Sequence, residues 1–195
     1  MISHKLKFIF IHIPKTSGNS LSFFFKDLVD NEVIQITNNL GEKQGISIMC
    51  ELTSNSIKHV EMDYYTKLYG DRIKDYYKFT IVRNPYDRLL SFYFWSKGKD
   101  DQLFDRTEFI EYIHRNDKVQ HKYITPDMNI IYFENLIGDL KQIPIFQNIC
   151  DFDNYPRINC SANSYVDRDA IYDKELKDIV YTKYKKDFDL FGYKY

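Results

Sequence analysis

The sequence is poor in the glycine patterns that mark two large classes of nucleotide-binding proteins. It has seven glycines among 195 residues, and the first of them is Gly18. A Walker P-loop has two glycines, the second directly before its lysine, and a dinucleotide-binding fingerprint has three closely spaced glycines. Gly18 is the single glycine in its loop, and Lys15 lies before it rather than after it. The stretch therefore favours neither a kinase-type loop nor a nicotinamide-cofactor site.

Other features in which the sequence is poor indicate the compartment and the kinds of partner that the protein has. The three cysteines, Cys50, Cys150 and Cys160, are odd in number and lack metal-ligand spacing, which predicts free thiols in a reducing compartment. No apolar run reaches about 18 residues, so we expect no membrane span. The formal net charge is −1, which argues against a general nucleic-acid-binding protein.

What is abundant predicts a folded α/β protein. Hydrophobic residues make up 44% and aromatic residues 17% of the chain, which is typical of a globular protein with a substantial core. The apolar run Phe8-Ile9-Phe10-Ile11 suits a strand that is buried on both faces, as in a parallel sheet covered by helices. We expect one domain that spans residues 1–195.

A polar loop follows this strand and leads into a helix. Its sequence is Pro14-Lys15-Thr16-Ser17-Gly18-Asn19-Ser20. Small residues let an anion approach the backbone N–H groups, hydroxyls add donors, and Lys15 supplies a countercharge. An ordinary strand-to-helix turn with good N-caps explains the same residues. From this stretch alone, an anion site and an ordinary turn remain open.

A second strand-to-helix turn lies between Lys78 and Trp95. Phe79–Val82 reads as a strand, Asn84 as an N-cap, and Pro85 as the first helical residue. Arg83 leaves the end of the strand, where a guanidinium can bind a phosphate through two hydrogen bonds, and Ser91 can add a donor. A structural surface pair between Asp87 and Arg88 is the simpler alternative.

The two stretches together resemble the sulfotransferases. PKTSGNS is similar to their 5′-phosphosulfate loop, P-K-[TS]-[GA]-[GS]-[TN]-S, with Ser17 as the departure. VRNPYDRLLSFY is similar to their 3′-phosphate motif, R-[ND]-P-x-[DE]-R-x-x-S-x-[YF]. Weaker similarities are Gln120-His121-Lys122-Tyr123 to Q-x-x-Y, Asn159-Cys160-Ser161 to N-x-S, and YKKDFDLFGY at the end to Y-x-x-D-x-x-x-F-G-Y. The branch is sulfotransferase family 2, which includes carbohydrate sulfotransferases.

This resemblance implies a fold, a donor and a set of site residues. The fold would be a three-layer P-loop-like α/β sulfotransferase fold, with a central parallel sheet flanked by helices. The donor would be 3′-phosphoadenosine 5′-phosphosulfate, and the acceptor a hydroxyl group, on a carbohydrate or another molecule, with no metal required. Lys15 would stabilise the leaving oxygen. The donor-binding residues would be Lys15, Thr16, Ser17, Gly18, Asn19, Ser20, Arg83, Ser91, Asn159 and Ser161.

The resemblance assigns the general base to His59, for which a helix-capping or surface histidine is the simpler alternative. In Golgi relatives a histidine from the corresponding region acts as base, and a neutral imidazole titrates near working pH. Glu51 and Glu134 are the rivals, because other sulfotransferases use glutamate; for Glu134 a structural role at a helix start or sheet edge is favoured. His12 is interpreted as a buried histidine satisfied by hydrogen bonds.

Other functions stay open beside this interpretation. The chain could be a nucleotide-binding module on the same fold that has lost catalysis and serves interactions. A small-molecule kinase is a further alternative and would require metal-bound ATP. The resemblance is to compact bacterial or viral members without a membrane anchor, which predicts a cytoplasmic enzyme. The few basic residues Lys97, Lys99, Arg106 and Arg115 argue against a polyanionic acceptor.

Overall fold

The structure is a computed structural model, and it describes residues 1–29, 33–37, 43–47, 59–98, 103–156 and 167–195. The chain forms two compact units. The first unit combines Met1–Ile81 with Tyr123–Ile158, and the second combines Val82–Lys122 with Asn159–Tyr195. The single domain over residues 1–195 stays a prediction.

Six strands and seven α-helices are present in the described residues. The strands are β1 (Ile2–Ser3), β2 (Phe8–Ile11), β3 (Val33–Thr37), β4 (Lys43–Ser47), β5 (Tyr77–Val82) and β6 (Asn129–Tyr132). The helices are α1 (Gly18–Phe24), α2 (Met62–Tyr69), α3 (Pro85–Lys97), α4 (Arg106–Arg115), α5 (Leu136–Lys141), α6 (Arg168–Ile171) and α7 (Lys174–Phe191). None of these helices is both long and apolar enough to cross a bilayer.

The central sheet has four strands in the order β1-β2-β5-β6 and is mostly parallel. β2 and β5 pair in parallel, with Phe8 opposite Tyr77 and Ile11 opposite Thr80. The predicted strand Phe8–Ile11 is present as β2, and the short β1 folds back antiparallel to it, so the two form a hairpin. β3 and β4 pair with each other as a separate antiparallel sheet.

Helices cover both faces of β2, which gives the first unit the three layers that were predicted. Phe8 and Phe10 point to one face and pack with residues of α1 and α5, including Leu21 and Leu140. Ile9 and Ile11 alternate to the other face and pack with α2. Because side chains of a strand alternate, an apolar run without polar interruption requires cover on both sides.

A separate aromatic core holds the second unit. It is built from α3, α4 and α7, and Tyr93 packs edge-to-face on Phe109 at 5.0 Å between ring centroids. The predicted N-cap of α3 is confirmed, since the Asn84 side chain accepts a hydrogen bond from the N–H of Tyr86 at 3.0 Å.

Two elements are less buried than their sequences suggested. The apolar run Ile130-Ile131-Tyr132-Phe133 predicts a buried strand, but only Ile131 of the four residues of β6 is buried, because β6 lies at the edge of the described sheet. The aromatic character of Phe23 predicts a place on the apolar side of α1, but Phe23 is 43% exposed, whereas Leu21 and Phe25 are fully buried.

Candidate active site

The loop after β2 has an unusual backbone. Lys15 and Ser17 have φ values of 69° and 72°, in the left-handed region that residues other than glycine rarely adopt. Between them, Thr16 is fully buried and its hydroxyl donates to the carbonyl oxygen of Ile13 at 2.8 Å. Strained residues of this kind persist only where the surrounding structure fixes them, and they are frequent at functional sites.

A close contact with His12 explains the glycine of this loop. A Cβ atom added to Gly18 would lie 2.0 Å from ring atoms of His12. The His12 ring is itself only 4% exposed, so it has little room to move away. Gly18 is therefore required at this position by the neighbouring side chain.

His12 also contacts His59. Nδ1 of His59 is 2.9 Å from the backbone carbonyl oxygen of His12, and the two rings meet edge-to-face at 4.5 Å between centroids. A carbonyl oxygen can only accept, so Nδ1 of His59 must carry the proton. In the neutral ring the lone pair is then on Nε2. The structure thus brings His59, one of the predicted catalytic residues, to the end of β2.

The sequence interpretation missed Tyr155 near the loop. Its hydroxyl is buried near the Ser17 side chain and has no hydrogen-bond partner among the described residues. Burial raises the pKa of Tyr155 to about 12, against a smaller lowering effect of Ser17. The Oδ1 atom of Asn19 is also buried, and no described residue hydrogen-bonds to it. No sequence motif links residue 155 to this loop.

In the second unit, Arg83 follows β5 and is held through its main chain. Its N–H donates to Oε1 of Gln120 at 2.9 Å, and its carbonyl oxygen accepts from Nε2 of Gln120 at 2.8 Å. Gln120 is fully buried. Ser91 lies two turns into α3, on the helix that begins directly after Arg83 and Asn84.

Arg88 is not the surface residue that the simpler alternative assumed. It is 3% exposed, donates from Nη1 to the carbonyl oxygen of Lys118 at 2.7 Å, and lies over the Phe92 ring at 4.9 Å. Asp87 pairs with Arg168 at 3.3 Å. The interpretation as a surface pair is wrong because the Arg88 guanidinium is buried and binds main chain.

The described basic residues noted in the sequence have acidic partners. Lys97 pairs with Glu108 at 2.8 Å, Arg106 with Asp173 at 3.1 Å, and Arg115 with Glu111 at 3.9 Å. Each positive charge is thereby offset by a neighbouring carboxylate. These contacts agree with the weak basic surface inferred from the sequence.

Several predicted residues lie outside the described part of the chain: Asn159 and Ser161, the rival base Glu51, the basic Lys99, and the cysteines Cys50 and Cys160. Cys150 is a free thiol, and burial raises its pKa to about 11. The second rival base, Glu134, is exposed in a 3-10 turn after β6. Within the described ranges, no cluster of three or more His, Cys, Asp or Glu side chains is arranged to hold a metal ion.

The fold and the loop after β2 define an α/β protein of the sulfotransferase type. Residues 1–148 match the model of the sulfotransferase family. The chain belongs to this family, in the branch called sulfotransferase family 2. Searches of curated proteins and of solved structures found no match. The family match ends before α6 and α7, so it does not reach the last helix.

The contact between Gly18 and His12 can be tested by a pair of substitutions. Gly18→Ala should lower the free energy of unfolding by about 1–3 kcal/mol, because the new methyl group overpacks against a buried ring. His12→Ala should remove most of this penalty, so the double variant should lose less than the sum of the single variants. Urea denaturation followed by circular dichroism measures all three.

Gly138→Ala is the matched control. It also adds a methyl group to a helical glycine, but its contact is with the exposed side chain of Asn135, which can move at the cost of one exposed hydrogen bond to Asp139. We expect a clearly smaller loss of stability than for Gly18→Ala, because an exposed hydrogen bond is readily replaced by water. Strict additivity of Gly18→Ala and His12→Ala would contradict the proposed contact.

Proposed function

We propose that the protein transfers a sulfuryl group from 3′-phosphoadenosine 5′-phosphosulfate to a hydroxyl group of a carbohydrate. Membership of the sulfotransferase family supports sulfuryl transfer. The observation that carries the finer proposal is the loop after β2, where the PKTSGNS sequence coincides with left-handed φ values at Lys15 and Ser17. Turns of this kind direct successive N–H groups to one side and form concave sites for anions.

The loop is proposed to bind the 5′ end of the donor. Backbone N–H groups of residues 16–20 and the hydroxyl of Ser20 would donate to the phosphosulfate. Lys15 would stabilise the bridging oxygen as the bond to sulfur breaks. This contact strengthens as negative charge develops on that oxygen, so it accelerates the reaction rather than only binding the donor.

Arg83 and Ser91 are proposed to bind the 3′-phosphate. A guanidinium can make two parallel charge-assisted hydrogen bonds to a phosphate, and the Ser91 hydroxyl would add a third donor. The role assigned to Arg83 is supported by its position at the end of β5 and by the two hydrogen bonds that fix its main chain.

His59 is proposed as the general base. The acceptor oxygen attacks sulfur in line, the new O–S bond forms, and the bond between sulfur and the bridging phosphate oxygen breaks. The acceptor proton passes to Nε2 of His59, and adenosine 3′,5′-bisphosphate leaves. The hydrogen bond from Nδ1 to His12 supports this role, because it leaves Nε2 as the proton acceptor.

The first prediction of this proposed function concerns the donor. Adenosine 3′,5′-bisphosphate should raise the melting temperature without added metal, and ATP with magnesium should do so much less. At a hundred times its dissociation constant, a ligand stabilises by about 2.7 kcal/mol, which corresponds to about 5–10 °C for a chain of this length. Differential scanning fluorimetry measures the shift. An unchanged melting curve at millimolar bisphosphate would refute the proposed donor.

A second prediction separates the roles of the two cations. Arg83→Ala should remove the preference for nucleotides with a 3′-phosphate. Lys15→Ala should instead reduce turnover far more than nucleotide affinity, because its contact is strongest in the transition state. Calorimetry gives the affinities, and transfer of labelled sulfate to a panel of sugars gives the rates.

The matched control is Lys26→Ala, which removes an exposed lysine just after α1. Its rate and affinity should stay at the wild-type values. Equal losses of affinity in the Lys15 and Arg83 variants, with no separate effect on turnover, would show that the proposed division of roles is wrong.

The third prediction concerns the base and separates an enzyme from an inactive nucleotide-binding module. His59→Ala should lower the rate of sulfate transfer by about 10²–10⁴-fold and leave nucleotide affinity unchanged. His114→Ala, which removes an exposed histidine of α4, should have no effect. A near wild-type rate in His59→Ala would return the role to Glu51 or Glu134, and no transfer by the wild type to any acceptor would favour the inactive module.

A further inference from the structure

The main chain of Arg83 is connected by hydrogen bonds to the last helix, α7. From these contacts we infer that Gln120 and Asp187 are positioning residues, and that they set the selectivity of Arg83 for a 3′-phosphate. The inference rests on the proposed function, because it takes Arg83 as the ligand of that phosphate. It adds two residues to which neither the family match nor the sequence motifs give a role.

Gln120 binds Arg83 as a neighbouring strand would. Its amide accepts from the N–H of Arg83 at 2.9 Å and donates to the carbonyl oxygen of Arg83 at 2.8 Å. Both main-chain groups of Arg83 are therefore satisfied by one side chain. β5 ends at Val82, so Gln120 extends ordered main-chain hydrogen bonding one residue beyond the strand.

Asp187 in turn fixes Gln120. Oδ2 of Asp187 accepts from the N–H of Gln120 at 2.8 Å, and Oδ1 accepts from the N–H of His121 at 2.9 Å. Oδ1 is also 2.6 Å from Nδ1 of His121. Asp187 and Gln120 are both fully buried. Because a buried carboxylate without partners is costly, these bonds strongly determine the position of residues 120 and 121.

The same segment is held at its other end. The hydroxyl of Tyr184, one turn before Asp187 on α7, donates to the carbonyl oxygen of Asn116 at 2.7 Å. Arg88 of α3 donates to the carbonyl oxygen of Lys118 at 2.7 Å. Residues 116–121 thus form a strap between α7 and the turn at Arg83. At one end of this strap, Gln120 hydrogen-bonds to both main-chain groups of Arg83.

A fixed main chain matters for a bidentate ligand. Two parallel hydrogen bonds from a guanidinium to a phosphate need a defined plane as well as a defined distance. Displacement of a positioning group by about 1 Å can cost on the order of 10²-fold in function. Loss of the Gln120 bonds should therefore weaken the recognition of the 3′-phosphate while the guanidinium itself is still present.

The test measures one ratio by isothermal titration calorimetry: the Kd of adenosine 5′-monophosphate divided by the Kd of adenosine 3′,5′-bisphosphate. Gln120→Met keeps the size of the side chain and removes both hydrogen bonds. The ratio should fall about tenfold or more, because a displaced guanidinium would lose a hydrogen bond to the charged 3′-phosphate. Asp187→Asn should lower it in the same direction although it removes a negative charge, and this variant carries the test if Gln120→Met does not fold.

This ratio separates positioning from a purely structural role. A variant that is only less stable reduces the folded fraction for both nucleotides equally, so the ratio stays constant. Tyr184→Phe is the matched control, because it removes a buried hydrogen bond from the same strap and the same helix and leaves the Gln120 bonds in place. It should lower the melting temperature and keep the ratio within about twofold, since no contact of the guanidinium changes.

Arg83→Ala distinguishes failure of this inference from failure of the proposed function. If Arg83→Ala lowers the ratio and Gln120→Met does not, Arg83 binds the phosphate and the positioning role is wrong. If Arg83→Ala leaves the ratio unchanged, the proposed role of Arg83 and this inference are both wrong. In the double variant Arg83→Ala/Gln120→Met, the ratio should equal that of Arg83→Ala, because Gln120 acts through Arg83.

Discussion

Burial of β2 on both faces is the constraint from which the candidate site of the first unit follows. Each large apolar side chain of the strand contributes about 1.5–3 kcal/mol by leaving water. A left-handed backbone at a residue other than glycine costs about 1–3 kcal/mol. The four buried side chains of Phe8–Ile11 therefore outweigh the strain at Lys15 and Ser17. The strand is firmly placed, and the chain can turn sharply at its end.

In the second unit, the candidate site residue Arg83 is held by buried hydrogen bonds rather than by apolar packing. Arg83 is fixed by hydrogen bonds from a buried amide, which is itself fixed by a buried carboxylate. Such a network stabilises only when every member has a partner, because each unsatisfied group costs about 1–3 kcal/mol. This makes the geometry at Arg83 more sensitive to single substitutions than the apolar core around Tyr93 and Phe109, where volume can be partly redistributed.

The parts of the fold that the sequence predicted are those set by neighbouring residues. The apolar run of β2 and the Asn84 cap with Pro85 both have local causes, and the structure has them in place. The edge position of β6 could not be predicted, because which strand ends a sheet depends on all the others. The spacing of apolar residues along the chain does not indicate the order of the strands in the sheet.

The same division applies to the candidate site. Lys15, Gly18 and Arg83 stand out through motif spacing, and His59 through a resemblance. Residues far away in sequence lie beside these positions: Tyr155 is near Ser17, and Asp187 accepts a hydrogen bond from Gln120, which binds Arg83. Gln120 and Asp187 were both visible in short motifs, but nothing in those motifs indicated that the two residues meet.

In each unit, main-chain atoms take part in the hydrogen bonds that orient the candidate site residue. The carbonyl oxygen of His12 fixes the tautomer of His59, and the N–H and carbonyl groups of Arg83 receive the Gln120 amide. A motif records side chains, so it does not record these contacts. A chain can therefore keep every motif residue and still lose its chemistry, through any change that moves the backbone at residue 12 or residue 83. For His59 this matters most, because rotation of the ring away from the His12 carbonyl would remove the reason for Nδ1 to hold the proton, and Nε2 would no longer be the defined base.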